Sequence, residues 1–195
     1  MNPKRVLGLI ATVLALPATA LAHPGHEGHE LTWDFSAGAV HPLTGWDHLL
    51  AMVAIGFWAV QLGGRTRWLV PSAFVAAMAL GAAFGRSGMV VPGIEQGIAA
   101  SLLVLGLLIS TATRMPAWVG VVLAGGFACF HGFAHGAEAP ATSDGLMYGA
   151  GFMVATACLH LAGIGLGTLL ARQQRAVRLI GGAVAGVGLV AMVLT

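Results

Sequence analysis

Long apolar runs, joined by short polar connections, occupy most of the chain beyond residue 40. Each run approaches the roughly 20 residues that a helix needs to cross the hydrocarbon core of a bilayer. The connections are too brief to form an extramembrane domain. The pattern predicts an all-α integral membrane protein, a six-transmembrane-helix bundle with spans at Gly45–Leu62, Trp68–Phe84, Ile94–Ala112, Pro116–His135, Leu146–Ala171 and Leu179–Leu194.

The first 22 residues have the pattern of a secretory signal peptide. Lys4 precedes an apolar stretch, and small residues around Ala22 form an A-x-A-type cleavage site. An uncleaved first membrane helix is the alternative, and in either case the next segment is expected on the exported side. The predicted organisation is a cleaved signal peptide (1–22), a histidine-rich periplasmic segment (23–40) and a six-helix transmembrane transport domain (41–195).

Composition favours the bilayer as the solvent of this chain. Apolar residues make up 57% of it and charged residues 8%, whereas a soluble domain carries about a quarter charged residues. The formal charge of +2 is small, and there is no basic patch with interleaved aromatics, so nucleic-acid binding is not expected. Cys129 and Cys158 lie inside apolar runs, which predicts buried thiols rather than a disulfide framework.

The arginines are distributed unevenly between the connections. One set of alternate connections contains Arg65, Arg67, Arg114, Arg172, Arg175 and Arg178, and the opposite set contains only Arg86. Cytoplasmic loops carry an excess of Lys and Arg. The asymmetry agrees with export of the N-terminus by the leader and predicts a multi-pass protein of the cell inner membrane with both mature termini in the periplasm.

Glycine spacing predicts how the spans pack. Close helix contacts are expected at Gly81/Gly85, Gly163/Gly167 and Gly182/Gly186. Glycine-rich faces also permit a homo-oligomer without requiring one. Three spans on each side of the Ala112–Pro116 loop predict two halves of opposite topology, as in inverted-repeat transporters.

Ionisable residues converge on the predicted outer half of the membrane. They are His41, Asp47 and His48 at the start of span one, Glu95 at the start of span three, His131, His135 and Glu138 at the end of span four, and His160 inside span five. Such groups are costly in lipid unless they face a cavity or a partner. Imidazole and carboxylate together suit borderline divalent metals such as Ni, Co and Zn. The set predicts a metal site.

Several of these residues also have a purely structural explanation. Thr44 and Asp47 match a capping box, and Pro42 suits a first helical position. Glu95 could likewise cap span three. His160, taken alone, could be hydrogen-bonded to a neighbouring helix.

The three ionisable residues of span four, His131, His135 and Glu138, fit such structural explanations least. His131 and His135 are four residues apart and therefore share a helix face, with Glu138 about one turn further on. A packing role in lipid does not suit this row, which makes metal binding the leading interpretation.

The motifs resemble those of a known family. "HPLTGWDHLLAM" and "FHGFAHGAE" are similar to the paired signatures of the HupE/UreJ family of bacterial nickel permeases, and "GFMVATACLHLAGIGLG" is similar to its fifth-span segment. The resemblance covers nearly the whole chain after the leader. It implies that the first motif consists of His41, Asp47 and His48 and the second of His131, His135 and Glu138, while Glu95 and His160 are carried over with their segments.

Members of this family are secondary transporters of the bacterial inner membrane that supply Ni²⁺, and in some members Co²⁺, to metalloenzymes such as hydrogenase or urease. The resemblance therefore implies a permease rather than an enzyme, with the divalent ion as its substrate and no prosthetic group. Lys4 is the only lysine and belongs to the leader, so the mature chain cannot supply a P-loop lysine for ATP hydrolysis. A membrane potential would suffice, because two charges moving inward gain about 4.6 kcal/mol per 100 mV.

Two other functional classes are alternatives. A membrane-embedded metal-dependent hydrolase would use His and Asp to hold Zn²⁺ and activate water, but the chain has no H-E-x-x-H motif and no evident nucleophile pair. A metal sensor or accessory subunit is the other. Metal accumulation driven by the purified chain in liposomes separates all three classes.

The stretch "HPGHEGHE" follows the leader directly. Cleavage would leave His23 with a free amine and an imidazole nitrogen that can chelate one ion together, while Pro24 has no amide N–H to lose to a metal. His26 and His29 could complete a loose site, and the two glutamates would attract cations. A solvated tail without function is the alternative.

Overall fold

The computed structural model describes residues 34–139 and 143–195, apart from the side chains of residues 143 and 144. Within these ranges the chain forms seven α-helices joined by short connections. They are α1 (Phe35–Thr44), α2 (Trp46–Leu62), α3 (Thr66–Gly85), α4 (Ile94–Thr111), α5 (Ala117–Glu138), α6 (Ser143–Leu170) and α7 (Gln174–Leu194). The predicted leader and most of the histidine-rich segment lie outside the described residues.

Five of these helices, α3 to α7, are long and apolar enough to cross a membrane. They correspond to five predicted spans, although α3 and α7 are longer than predicted, at 20 and 21 residues. The α1–α2 pair passes the same test as a unit, but it is bent by 84° and so forms a broken span or a re-entrant segment. The fold is a multi-pass helical membrane bundle.

The bend between α1 and α2 falls at Gly45, which ends one helix and begins the next in an extended conformation (φ −78°, ψ 106°). Pro42 lies inside α1, where its missing N–H removes a helical hydrogen bond shortly before the bend. α1 itself begins at Phe35 and is capped by Asp34, whose carboxylate accepts the backbone N–H of Ala37 at 2.8 Å.

Two structural explanations for this region are wrong. Pro42 does not occupy a first helical position, because α1 begins well before it at Phe35. Thr44 does not cap α2, since Gly45 holds the capping position without a side-chain hydrogen bond, and the Thr44 hydroxyl donates to the His41 carbonyl at 2.9 Å. The helical bundle thus begins earlier in the chain than residue 41.

Three helix pairings account for most of the packing: α3 with α5, α4 with α7, and α6 with both α1 and α2. Glycine makes each of them close. A Cβ added at Gly132 of α5 would lie 2.0 Å from the backbone oxygen of Met78 in α3, and one added at Gly56 of α2 would lie 2.0 Å from that of His160 in α6. No side chain fits at such distances, so the paired backbones touch directly.

The predicted glycine pairs Gly81/Gly85 and Gly163/Gly167 take part in these contacts. The third prediction is wrong, because a Cβ at Gly182 or Gly186 would meet nothing within 4 Å. α7 approaches α4 through Gly181 and Gly188 instead. A spacing of four residues shows only that two glycines share a helix face. α7 has glycines on more than one face, and the spacing does not tell which face contacts α4.

The three pairings are unchanged when the first span (α1–α2) is exchanged with α5, α3 with α6, and α4 with α7. An inverted repeat produces this pattern of contacts. Equivalent pairing does not establish that the halves superpose, so the two-halves arrangement stays a prediction.

The two ends of the bundle differ in charge. Gln61 at the end of α2 donates to the carbonyl of Ile109 at the end of α4, and Gln96 at the start of α4 donates to that of Thr195 at the end of α7, both at 3.1 Å. The C-terminal ends of α2 and α4 therefore lie at one end of the bundle, which we name the arginine end. The start of α4 and the end of α7 lie at the opposite end, which we name the histidine end. The arginine end carries Arg65, Arg67, Arg114, Arg172, Arg175 and Arg178.

Large apolar side chains cover the outside of the bundle, with Trp118, Leu169 and Val193 among the most exposed. Such a surface suits lipid rather than water. Cys129 and Cys158 are free, as predicted, but both are exposed, so the prediction of buried thiols is wrong. In a span bathed by lipid, an apolar run does not distinguish the inner face of a helix from the outer one.

Replacing Gly181 with Ala should destabilise the bundle, because the new Cβ would lie 2.3 Å from the backbone nitrogen of Ser110. We expect a loss of about 1–3 kcal/mol, measured as a lower melting temperature in detergent by tryptophan fluorescence. Gly182→Ala is the matched control, since a Cβ there meets nothing within 4 Å. Equal melting temperatures for the two variants would contradict the close α4–α7 packing.

Candidate functional site

The bend between α1 and α2 brings Asp47 and His48 together at the histidine end. Asp47 Oδ1 lies 2.8 Å from His48 Nδ1 and accepts the backbone N–H of His48 at the same distance. Gly45 leaves room for the pair, because a Cβ there would lie 3.2 Å from both Asp47 Oδ1 and His48 Nδ1. The carboxylate therefore orients an imidazole instead of completing a capping box.

α5 places two further histidines against this pair. The ring centroids of His131 and His135 lie 5.1 and 4.6 Å from that of His48, as expected for residues on one helix face. His135 Nε2 lies 2.7 Å from His48 Nε2, a hydrogen bond between two helices that otherwise pack only lightly. The ring of His41 lies 4.7 Å from that of His135. We name His41, His48, His131 and His135 the histidine cluster.

The hydrogen bonds assign the protons of His48 and His135. A carboxylate only accepts hydrogen bonds, so Asp47 requires a proton on His48 Nδ1. Neutral His48 then has its lone pair on Nε2, and His135 donates to it from its own Nε2. Asp47 thus directs one imidazole lone pair into the cluster.

Ser101 of α4 plays a similar part for His131. Its hydroxyl donates to the Ile98 carbonyl at 2.6 Å, and its oxygen lies 3.1 Å from His131 Nε2. Ser101 therefore accepts the Nε2 proton, and the lone pair of neutral His131 is on Nδ1. That Nδ1 atom is buried and has no hydrogen-bond partner within the described residues.

Aromatic rings enclose the cluster, and sequence reasoning missed them. The Phe152 ring lies 4.3 Å from that of His135, the Tyr148 ring 5.8 Å from that of His41, and the Phe74 ring 5.9 Å from that of His131. In the sequence these residues are indistinguishable from packing residues of an apolar span. Ser101 did carry a signal, because it is a hydroxyl in an otherwise apolar stretch.

The remaining predicted site residues lie around or apart from the cluster. The Glu138 carboxylate is 4.0 Å from His135 Nδ1 and its side chain is 47% exposed. Glu95 lies in the first turn of α4, partly buried at the histidine end. His160 lies deeper in the bundle, beside Phe74. His23 and His26 lie outside the described residues.

A cavity of about 430 Å³ lies between α3, α5 and α6 and reaches His135. Its walls include Met78, Arg86, Tyr148 and Phe152. It extends from His135 to Ala139, which directly follows α5 at the histidine end of the bundle.

No group of three or more His, Cys, Asp or Glu side chains within residues 34–139 and 143–195 is arranged as a ready metal site. The Nε2 atoms of His48 and His135, for example, are hydrogen-bonded to each other and so do not face a common empty position. The arrangement is a closed, hydrogen-bonded cluster of potential ligands.

Fold and site together define a multi-pass helical membrane protein with a buried cluster of histidines. The chain belongs to the HupE/UreJ family, because the family profile described as HupE / UreJ protein matches residues 11–191. It is 46% identical over 178 residues to Protein HupE of Rhizobium leguminosarum bv. viciae, a match that covers 90% of this chain and 91% of that protein. The family comprises nickel and cobalt transport-related proteins, which indicates a transporter-type protein rather than an enzyme. No solved structure matches the chain.

Neutral His48 should carry its proton on Nδ1, because the Asp47 carboxylate accepts it there. Histidine nitrogen chemical shifts, measured by NMR at mildly alkaline pH, should show this tautomer in the wild-type protein and an Nε2 proton in Asp47→Leu. Glu138→Gln is the control, since the Glu138 carboxylate faces His135 instead. An Nε2-protonated His48 in the wild-type protein would contradict the assignment.

Proposed function

We propose that the chain is a secondary transporter that imports Ni²⁺, or the chemically similar Co²⁺, across the bacterial inner membrane. The observation that supports this best is the convergence of four histidines from α1, α2 and α5 beside the Asp47 carboxylate. Imidazole is a suitable ligand for these ions. Ionisable groups buried in membrane proteins mark ion pathways. Membership of a nickel and cobalt transport-related family agrees with this cargo.

The ion would bind by opening the histidine cluster. Two nitrogens bound to one ion at about 2.0–2.1 Å are separated by roughly 3 Å or more, whereas the Nε2 atoms of His48 and His135 are 2.7 Å apart. The rings must therefore separate slightly, and the proton on His135 Nε2 must move to Nδ1 of the same ring, because ligation needs a free lone pair on a neutral imidazole. Asp47 would keep the His48 lone pair directed at the ion, as carboxylates do for metal-bound histidines.

Ions would reach the cluster from the periplasm through the cavity beside His135. This assigns the arginine end to the cytoplasm, where loops carry the excess of Lys and Arg. If α1 and α2 together make one broken span, the bundle would have six spans, and both mature termini would lie in the periplasm after removal of the signal peptide (1–22). The exposed carboxylate of Glu138 would attract cations to the mouth of the cavity.

The membrane potential would drive import, because it favours inward movement of a divalent cation. The delivered ion would serve the maturation of a metalloenzyme such as hydrogenase or urease.

Replacing His131 or His135 with Ala, or Asp47 with Asn, should abolish uptake of radioactive nickel by proteoliposomes that contain the purified protein. Each change removes a ligand of the cluster or the group that orients one. Leu161→Ala is the control, because its side chain is exposed on the outside of the bundle. If Asp47 only stabilised a helix end, Asp47→Asn would cost about 1 kcal/mol of stability and leave uptake intact. Full uptake by all three variants would refute the proposed pathway.

The segment His23–Glu30, which lies outside the described residues, is proposed to capture ions weakly at the periplasmic surface. Deleting it, with the leader and its cleavage preserved, should lower uptake at scarce metal and leave the maximal rate nearly intact. Uptake measured over a range of nickel concentrations checks this. Unchanged uptake at every concentration would mean a tail without function, and a lost maximal rate would place the segment within the pathway itself.

A further inference from the structure

Deeper than the histidine cluster, His160 is buried in α6 with its hydrogen-bonding capacity unused. Its side chain is 2% exposed, and neither ring nitrogen has a hydrogen-bond partner within the described residues. A neutral imidazole carries one N–H and one lone pair, and buried polar side-chain atoms in proteins are in the large majority paired. Two unpaired nitrogens on one buried ring point to a partner from outside the chain, which is a bound water or an ion.

The hydroxyl of Thr156 lies four residues before His160 on the same face of α6 and is unpaired as well. Its side chain is 0% exposed, and no partner for it lies within the described residues. A helical threonine commonly donates to the carbonyl one turn earlier, and Thr168 of the same helix does so, at 2.8 Å from the Ile164 oxygen. Thr156 does not, which leaves its oxygen available on the face that holds His160.

Phe74 stands between His160 and the histidine cluster. Its ring centroid lies 5.9 Å from that of His131 and 5.1 Å from that of His160. The backbone of His160 touches Gly56, which follows His48 on α2 by about 12 Å of helix. His160 is therefore farther from the histidine end than the cluster is, in the direction of the arginine end.

We propose that His160 and Thr156 form an inner cation subsite, which receives a divalent transition-metal ion after the histidine cluster releases it. The subsite rests on the proposed transport function and adds a second stop to the same pathway. An imidazole nitrogen and a hydroxyl oxygen supply two ligands, and water completes the coordination. So small a protein ligand set binds weakly, which suits a step that must let the ion leave again.

A metal ion at position 160 can be detected directly with His160→Cys. The background carries Cys129→Ala and Cys158→Ala, because both natural cysteines are free and exposed. Adding Co²⁺ to the purified protein in detergent should produce a thiolate-to-metal charge-transfer band, since the thiolate is the form that ligates metal. Leu161→Cys in the same background is the control and should give no band, because that side chain is 54% exposed on the outside of the bundle.

The hydroxyl is tested separately with Thr156→Val in proteoliposomes. We expect the maximal rate of nickel uptake to fall about five-fold, as for the loss of one polar contact. Thr168→Val is the matched control, because its hydroxyl bonds only to its own helix, and its uptake should be unchanged. Equilibrium dialysis with Ni²⁺ should show the same binding at the histidine cluster in both variants.

Absence of the Co²⁺ band in a His160→Cys protein that still binds Co²⁺ at the histidine cluster would overturn the inner subsite. A His160→Cys protein that differs from wild type only in the pH dependence of uptake would also overturn it, and would make His160 a proton carrier. A band together with no nickel uptake by the wild-type protein would keep the subsite and refute the transport function. If His160→Cys is not monodisperse by gel filtration, the Thr156→Val and Thr168→Val pair decides the matter, and equal rates overturn the proposal.

Discussion

Lipid offers no hydrogen-bond partner to an imidazole, so each buried histidine of a membrane bundle needs a partner in the protein or in what the protein binds. His48 meets this requirement with Asp47 on one nitrogen and His135 on the other, and His131 meets it with Ser101. These bonds fix which nitrogen of each ring keeps its lone pair. They also hold together rings from helices that pack little against each other, so the geometry of the site follows from this one requirement.

Much of the fold was predictable because apolar runs in a membrane protein end where Gly, Pro or Arg interrupts them. This is why α3 to α7 appear close to their predicted positions. The bend at Gly45 was missed, because hydropathy is averaged over a window and a single extended glycine does not lower it. The bend nevertheless determines where His41 and His48 lie, so a local backbone feature without a compositional signal shapes the candidate site.

The candidate site was predictable only as far as spacing within one helix allows. His131 and His135 are four residues apart, and the fixed period of the α-helix placed both against His48. Contacts between different helices could not be predicted from the spacing of residues within one helix. Ser101 and Phe74 come from spans whose registers against α5 depend on glycine contacts, and no rule of local spacing gives the partner across such a contact.

Those glycine contacts also decide which parts of the bundle can move. The backbones of α5 and α3 touch at Gly132, and those of α2 and α6 touch at Gly56, so sliding one helix of a pair along the other would cause a collision. Each pair is therefore expected to move as one block. His48 and His135 belong to different blocks, and so do His160 and Phe74. The histidine cluster and the deeper His160 therefore both lie at the interface between the two blocks, and the hydrogen bond between His48 and His135 crosses this interface. A rocking motion of the two blocks about this interface would separate the rings of the histidine cluster while bringing those of His160 and Phe74 closer together, or the reverse.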